Sequence, residues 1–353
     1  MQETARKALV AALIVVGVVA LALALWKLRI VIALLFLALI ISAAMRPSVE
    51  WLARYRIPRG VGVLAHYAVL GGVIAVLLWA IVPRAIDQVD KALGGIPTST
   101  SELERETSRS TGFRHEILKR VQDGLDELPS GGDLLDSGLS LTFTAFEVFV
   151  AIFFTLACAA YWIFERDRAE LLVMSLLPRD RRRVVRDTWN LIDAKLGAYV
   201  RGQLILITFV ASLLSLVFYL IGLPFWLLIG IFAGFVEIVP VIGPIVAGAV
   251  AVGVGFTDGW ELALAAGLAV LAVRLLEDYV VIPRVLGQAV GLTPLSVLIA
   301  VTSMGILFGG FAVLLAIPFA AVLATLLDVV IRHRNPAEEE APAVLFPARE
   351  GEP

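Results

Sequence analysis

The chain has 353 residues, 59% of them hydrophobic and 17% charged, with a formal net charge of −2. That composition belongs to polytopic membrane proteins and excludes a large soluble core. With no basic face beside an aromatic platform, nothing points to nucleic acid as a partner. The single cysteine, Cys158, excludes an internal disulfide.

Apolar runs of about 20 residues mark membrane spans, and the first three occupy residues 8–26, 28–45 and 61–82. Arg6 and Lys7 before the first run suit a signal peptide, but the spans that follow indicate a retained helix. Residues 1–84 therefore read as three transmembrane helices. Residues 85–140 are polar and charged. There Leu118, Val121, Leu125 and Leu128 keep helical spacing, and Pro129-Ser130-Gly131-Gly132 reads as a turn, which predicts a small, mostly helical extramembrane domain. A fourth span follows over 141–164.

Over 178–200, Val185, Trp189, Ile192, Leu196 and Tyr199 form one face opposite Arg182, Arg183, Arg186 and Lys195. Such a helix suits either the membrane surface or a place against the protein itself. The N-terminus, the loop 46–59 and the stretch 166–201 together hold fifteen Lys or Arg, against nine in Lys27, Arg29 and residues 84–120. The positive-inside rule then places both termini in the cytoplasm and 85–140 outside.

Residues 201–331 hold four apolar stretches with a weak internal repeat at an offset of 69 to 70 residues. A span over 203–221 ends in Gly222-Leu223-Pro224 and leads into a long apolar run, 223–256, broken at Glu237-Ile238-Val239-Pro240-Val241-Ile242-Gly243-Pro244. A second span, 260–282, is followed by Gly291-Leu292-Thr293-Pro294 and another long run, 295–331, interrupted by Gly305, Gly309-Gly310 and Pro318. Paired interrupted segments mark transport sites, because broken helices leave free backbone groups inside the bilayer. If both segments are re-entrant hairpins, the two units have inverted topology. If both cross once, the C-terminus is still cytoplasmic. Residues 332–353, with Glu338-Glu339-Glu340 and four prolines, read as a disordered tail. The fold class expected is an all-α polytopic membrane protein with about eight hydrophobic segments and a small helical extramembrane domain.

No nucleophile–base pair, metal-ligand cluster or phosphate-binding loop appears, so neither an enzyme, a cofactor nor ATP-driven transport is indicated. The chemistry rests on charges in apolar surroundings. Glu237 lies at the first break, where its carboxylate could bind a cation or polar solute, exchange a proton, or merely cap a half-helix. Arg274, Glu277 and Asp278 are spaced three and four apart, which sets the arginine on one helical face with both acids. Charges near a span centre cost roughly 2.5–3.5 kcal/mol each on translocon scales, so the three should pair or face water. Pro283, Gly287 and Pro294 follow directly. Gly17, Gly71, Gly72 and Gly248 read as close helix contacts.

In order and spacing, several motifs resemble the autoinducer-2 exporter (AI-2E) family, also described as PerM-like permeases. They are Pro47-Ser48-Val49-Glu50-Trp51-Leu52 with Ile57-Pro58-Arg59-Gly60, Tyr199-Val200-Arg201-Gly202-Gln203, and the break at 237–244. They continue with Glu277-Asp278, Pro283-Arg284-Val285-Leu286-Gly287, Gly291-Leu292-Thr293-Pro294, and residues 305–318. The resemblance covers roughly residues 5–331 and implies a homo-oligomeric bacterial inner-membrane protein, a pentamer among the sizes to expect. It also implies export of a small polar solute of the autoinducer-2 type, with Na⁺(Li⁺)/proton antiport known in some relatives. Residues matching the motifs are Glu237, Pro240, Gly243, Pro244, Glu277, Asp278, Pro283, Gly287 and Pro294. Residues 85–140 match in position only. Three functions are therefore expected in order: solute export, with proton coupling as a further step, monovalent cation/proton antiport, and a membrane scaffold that binds a partner through residues 85–140.

Overall fold

The computed structural model describes residues 2–93, 131–239, 242–285 and 292–339. Among these residues every regular element is helical. The extramembrane domain expected over 85–140 lies largely outside them, between the end of α3 (Arg59–Leu93) and the start of α4 (Gly131–Ser175). Ahead of α3 come α1 (Gln2–Lys27) and α2 (Arg29–Arg54). Most apolar side chains of α1, α3 and the first half of α4 are exposed in the isolated chain, as expected of lipid-facing spans.

The amphipathic stretch 178–200 and the span after it form one continuous helix, α5 (Arg179–Leu220). A helix so joined to a span packs on the protein rather than lying flat on the membrane. Its apolar face buries Leu191, Leu196 and Tyr199, and Trp189 stacks on Trp162 of α4 at 6.2 Å between ring centroids. Lys195, read above as part of the basic face, is itself buried. Next to it a charge network ties α2, α4 and α5 together. Buried Arg166 reaches Glu170 at 2.7 Å, Asp193 at 2.8 Å and the Asn190 amide oxygen at 2.5 Å, and Arg46 joins Glu50 to Asp193.

The first interrupted segment becomes two short antiparallel helices, α6 (Trp226–Val236) and α7 (Ile242–Gly255). At 1.5 Å per residue they are roughly 16 and 21 Å long, each short of a hydrocarbon core of about 30 Å. Neither helix is long enough to cross alone, as a re-entrant hairpin requires. Its entry is a glycine-capped helix end. Gly222 takes a left-handed φ of 76°, its N–H bonds the Tyr219 carbonyl, and the Leu223 N–H reaches back to Phe218 at 2.9 Å. The chain reverses there, and buried Leu223 packs beneath the turn.

α6 lies close against α5 because Gly230 and Gly234, four apart, present no side chain. A Cβ on Gly230 would enter the Ser215 backbone, and one on Gly234 would meet Ala211 and the Ile207 carbonyl. The close contacts are therefore here, at Gly197 against Ala43, and at Gly255 against Ala263. Gly17, Gly71 and Gly72 have nothing within 4 Å, and Gly248 makes only ordinary contact. Gly234→Leu should push the hairpin off α5 and cost roughly 1–3 kcal/mol or more by overpacking. A lowered melting temperature in detergent checks this, with Gly72→Leu, in open space, close to the parent.

α8 (Trp260–Leu276) returns antiparallel to α7, then widens into a π-helical turn at Glu277–Val281 before α9 (Ile282–Val285). The second interrupted segment begins with α10 (Pro294–Phe308) and reverses at Gly309, whose φ is 90°. A 3₁₀ turn (Gly310–Leu315) then feeds α11 (Ala316–Val330). Only the Gly309-Gly310 pair is a break. Gly305 lies within α10 near Val313, and Pro318 falls in the first turn of α11, where a missing N–H costs nothing. The two hairpins are thus unequal, since the stretch Gly310–Val330 alone is long and apolar enough to cross. The stretch read as a disordered tail is ordered at its start, over 332–339, because Pro336 is buried and Glu339 finds a buried cation.

Candidate functional site

The tip of the α6/α7 hairpin carries Glu237. Val239 N–H closes on the Val236 carbonyl at 3.0 Å, and Gly243 N–H on the Val239 carbonyl at 2.8 Å, so the turn is tight. Gly243 is needed because a Cβ there would collide with the Val236 carbonyl and the Glu237 amide nitrogen. Pro244 sits in the first turn of α7.

This tip faces the end of α8, and the two charge clusters separated in the sequence become one. Arg274 Nη1 lies 3.1 Å from Glu237 Oε1 and 3.1 Å from Glu277 Oε2, while Nη2 lies 3.0 Å from Asp278 Oδ1. Since both glutamate oxygens are 3.1 Å from one nitrogen, they are at most twice that, 6.2 Å, apart. Glu237 and Glu277 are buried at 5% and 2% exposure, whereas the Asp278 side chain is 40% exposed. The π turn begins at Glu277, and such turns are rare in helices and concentrated at functional sites.

Between α5, the hairpin and α8 is a cavity of about 10 Å³. Glu237, Pro244, Arg274 and Glu277 line it, with Val210, Leu214 and Ala233 forming the apolar wall. That volume suits about one water molecule or one small cation. Pro240 and Gly287 lie outside the described residues. Pro283 is exposed and does not line the cavity, and Pro294 opens α10, whose first turn is capped by the Thr293 hydroxyl accepting from the Ser296 N–H at 3.2 Å. Among the described residues no three His, Cys, Asp or Glu side chains are grouped so as to hold a metal ion.

The family of AI-2E transporters matches residues 13–332, which spans all of these elements. The chain belongs to the AI-2E transporter family. Among AI-2E relatives, YueF of Bacillus subtilis (strain 168) is 26% identical over 305 residues, covering 81% of this chain and 82% of YueF. MT0215 of Mycobacterium tuberculosis (strain CDC 1551 / Oshkosh) is 27% identical over 333 residues, 90% of this chain and 88% of the relative. PerM of Escherichia coli (strain K12) is 30% identical over 191 residues, about half of each chain. The first two are named as transport proteins and the third as a permease. This AI-2E chain is accordingly a multi-pass membrane protein of a transporter family, not of an enzyme family.

One residue of the site was not singled out from the sequence. Gln203 of α5 donates from Nε2 to the Glu237 backbone carbonyl at 3.0 Å, both groups being buried. α6 ends here, and a helix end leaves carbonyls without intrahelical donors. The glutamine fills one of them and holds the tip against α5. The signal was present as an amide at the very start of the apolar span 203–221. Gln203→Leu should leave that carbonyl unpaired, at roughly 1–3 kcal/mol. A drop in melting temperature, together with faster protease cleavage within the hairpin, checks it.

Proposed function

We propose that this protein is a secondary transporter that exports a small polar solute of the autoinducer-2 type, coupled to protons through the Glu237–Arg274–Glu277–Asp278 cluster. The observation that carries the reading is the sharing of one guanidinium by three carboxylates at the tip of a hairpin too short to cross. With all acids ionised the cluster holds a formal charge of −2, which is costly where water is scarce. Taking up a proton offsets that charge and loosens Glu237 from Arg274. Losing the proton restores the pair. A hairpin whose hold depends on proton occupancy can open its tip alternately to the two sides.

A specific observation favours a second reading, monovalent cation/proton antiport. The cavity has room for one small cation and none for a sugar-sized solute in this conformation. Na⁺ or Li⁺ beside Glu237 and Glu277 would offset the same charge as a proton and compete with it. In either case the protein is expected in a bacterial inner membrane as a homo-oligomer with cytoplasmic termini, the arrangement that the positive residues of 46–59 and 166–201 favour.

The test is transport by the purified protein in liposomes under an imposed pH gradient, with a panel of small polar solutes and with Na⁺ or Li⁺. Solute movement that dissipates the gradient supports the first reading. Cation movement without solute supports the second. No flux of either kind sinks both.

A further inference from the structure

Away from the hairpin site, the chain after α11 is built into a turn rather than left loose. His333 adopts a left-handed φ of 52°, and the Arg334 N–H bonds the Asp328 carbonyl at 3.0 Å. The Asp328 carboxylate also pairs with Arg332 at 2.8 Å. Asn335 then starts a short 3₁₀ turn, Pro336–Glu338, with its side-chain oxygen accepting from the Ala337 N–H and its amide donating to Glu338. The outcome is a segment folded back along α5, with Pro336 buried and the Glu339 carboxylate 2.6 Å from Lys195 Nζ.

Lys195 is an unusual anchor. It is 9% exposed on α5, and its ammonium also donates to the Thr325 hydroxyl of α11 at 3.1 Å. Thr325, 1% exposed, donates its own hydroxyl hydrogen bond to the Ala321 carbonyl, so it supplies a dipole and no charge. Glu339 provides the acid salt-bridged to this buried cation, from 144 residues along the chain. Removing one member of such a pair leaves a buried charge without compensation, which favours separation of the surfaces that enclose it. Those surfaces belong to α5 and α11. α5 also carries Gln203, roughly 12 Å further along the same rigid helix, and α11 is the returning arm of the second hairpin.

We propose that residues 335–339 are a cytoplasmic strap which, through Glu339 and Lys195, clamps α11 to α5 and restrains movement of the second hairpin. The clamp rests on the transport reading above for its effect on rate, but not for its effect on mobility. Release of the strap, by loss of the Glu339 charge or by another segment taking its place, frees the hairpin and speeds transport.

Glu339→Gln, Lys195→Met and a chain ended after Arg334 test this in the full membrane protein. Amide hydrogen exchange should rise in each variant over the last turns of α11 as well as over any remaining part of 335–339, by roughly tenfold or more, as expected when a local unit loses its clamp. The initial transport rate should rise roughly fivefold, the effect of a restraint removed from a limiting step. Lys195→Met removes the buried charge itself, so it keeps the experiment readable if Glu339→Gln folds poorly. Rapid exchange of 335–339 already in the parent would overturn the strap, as would faster exchange confined to 335–339 while α11 is unchanged. Faster exchange in α11 with an unchanged or lower transport rate would overturn the restraint. If parent and variants alike carry no flux, the transport reading fails, and the exchange of α11 alone decides whether the strap exists.

Discussion

Glu237→Gln should bring transport to background while the protein stays folded. The substitution keeps the size and hydrogen-bonding shape of the side chain, and Arg274 retains Glu277 at 3.1 Å and Asp278 at 3.0 Å. What it removes is the charge that, in the proposed mechanism, turns on and off at the hairpin tip. With a permanently neutral tip, the two states of the hairpin no longer differ in their affinity for a proton or cation, and a ligand with equal affinity for both states shifts nothing. Stability should hold or rise slightly, since one of three crowded carboxylates is gone. Uptake assays on reconstituted protein, paired with melting curves, separate the two effects. Loss of transport with a large fall in melting temperature would instead assign Glu237 a structural role.

Arg274→Met should produce the opposite pattern, a loss of fold. The methionine fills much of the space but leaves Glu237 and Glu277 buried with no counter-charge, and breaking a buried pair from one side costs roughly 3–5 kcal/mol. That is a large fraction of a typical domain's stability. The defect should be relieved in part by adding Glu237→Gln, which removes one of the stranded charges. A double variant as unstable as Arg274→Met alone would show that the arginine does not hold the tip through Glu237. Melting of the two single variants and the double variant in one detergent forms the required cycle.

Much of this architecture could be read from the chain because apolar length and broken helices are local properties. Gly222-Leu223-Pro224 announced a helix end, and the glutamate and prolines of 237–244 announced a break, each within a few residues. The union of Glu237 with Arg274 was not readable, since it depends on how α7 and α8 pack across 37 positions. Periodicity paired Arg274 with its acids along one helix but says nothing about a partner arriving from another. The π turn at Glu277 has no composition signal either. Glycines misled for a related reason. Gly71-Gly72 is as conspicuous as Gly230 and Gly234, yet only the latter pair faces a neighbouring backbone. Lys195 looked solvated because its charge was read from one helix, whereas its burial is created by α11 and by the chain end folding back.

The most direct test of the site is proton movement across liposomes containing the purified protein, driven by a gradient of solute, Na⁺ or Li⁺. The parent, Glu237→Gln and Glu277→Gln are compared in parallel. The proposed coupling at the hairpin tip requires that the parent move protons and that both variants fail to do so with their fold intact. Parental proton flux in both variants would contradict it and place the coupling site elsewhere in the chain.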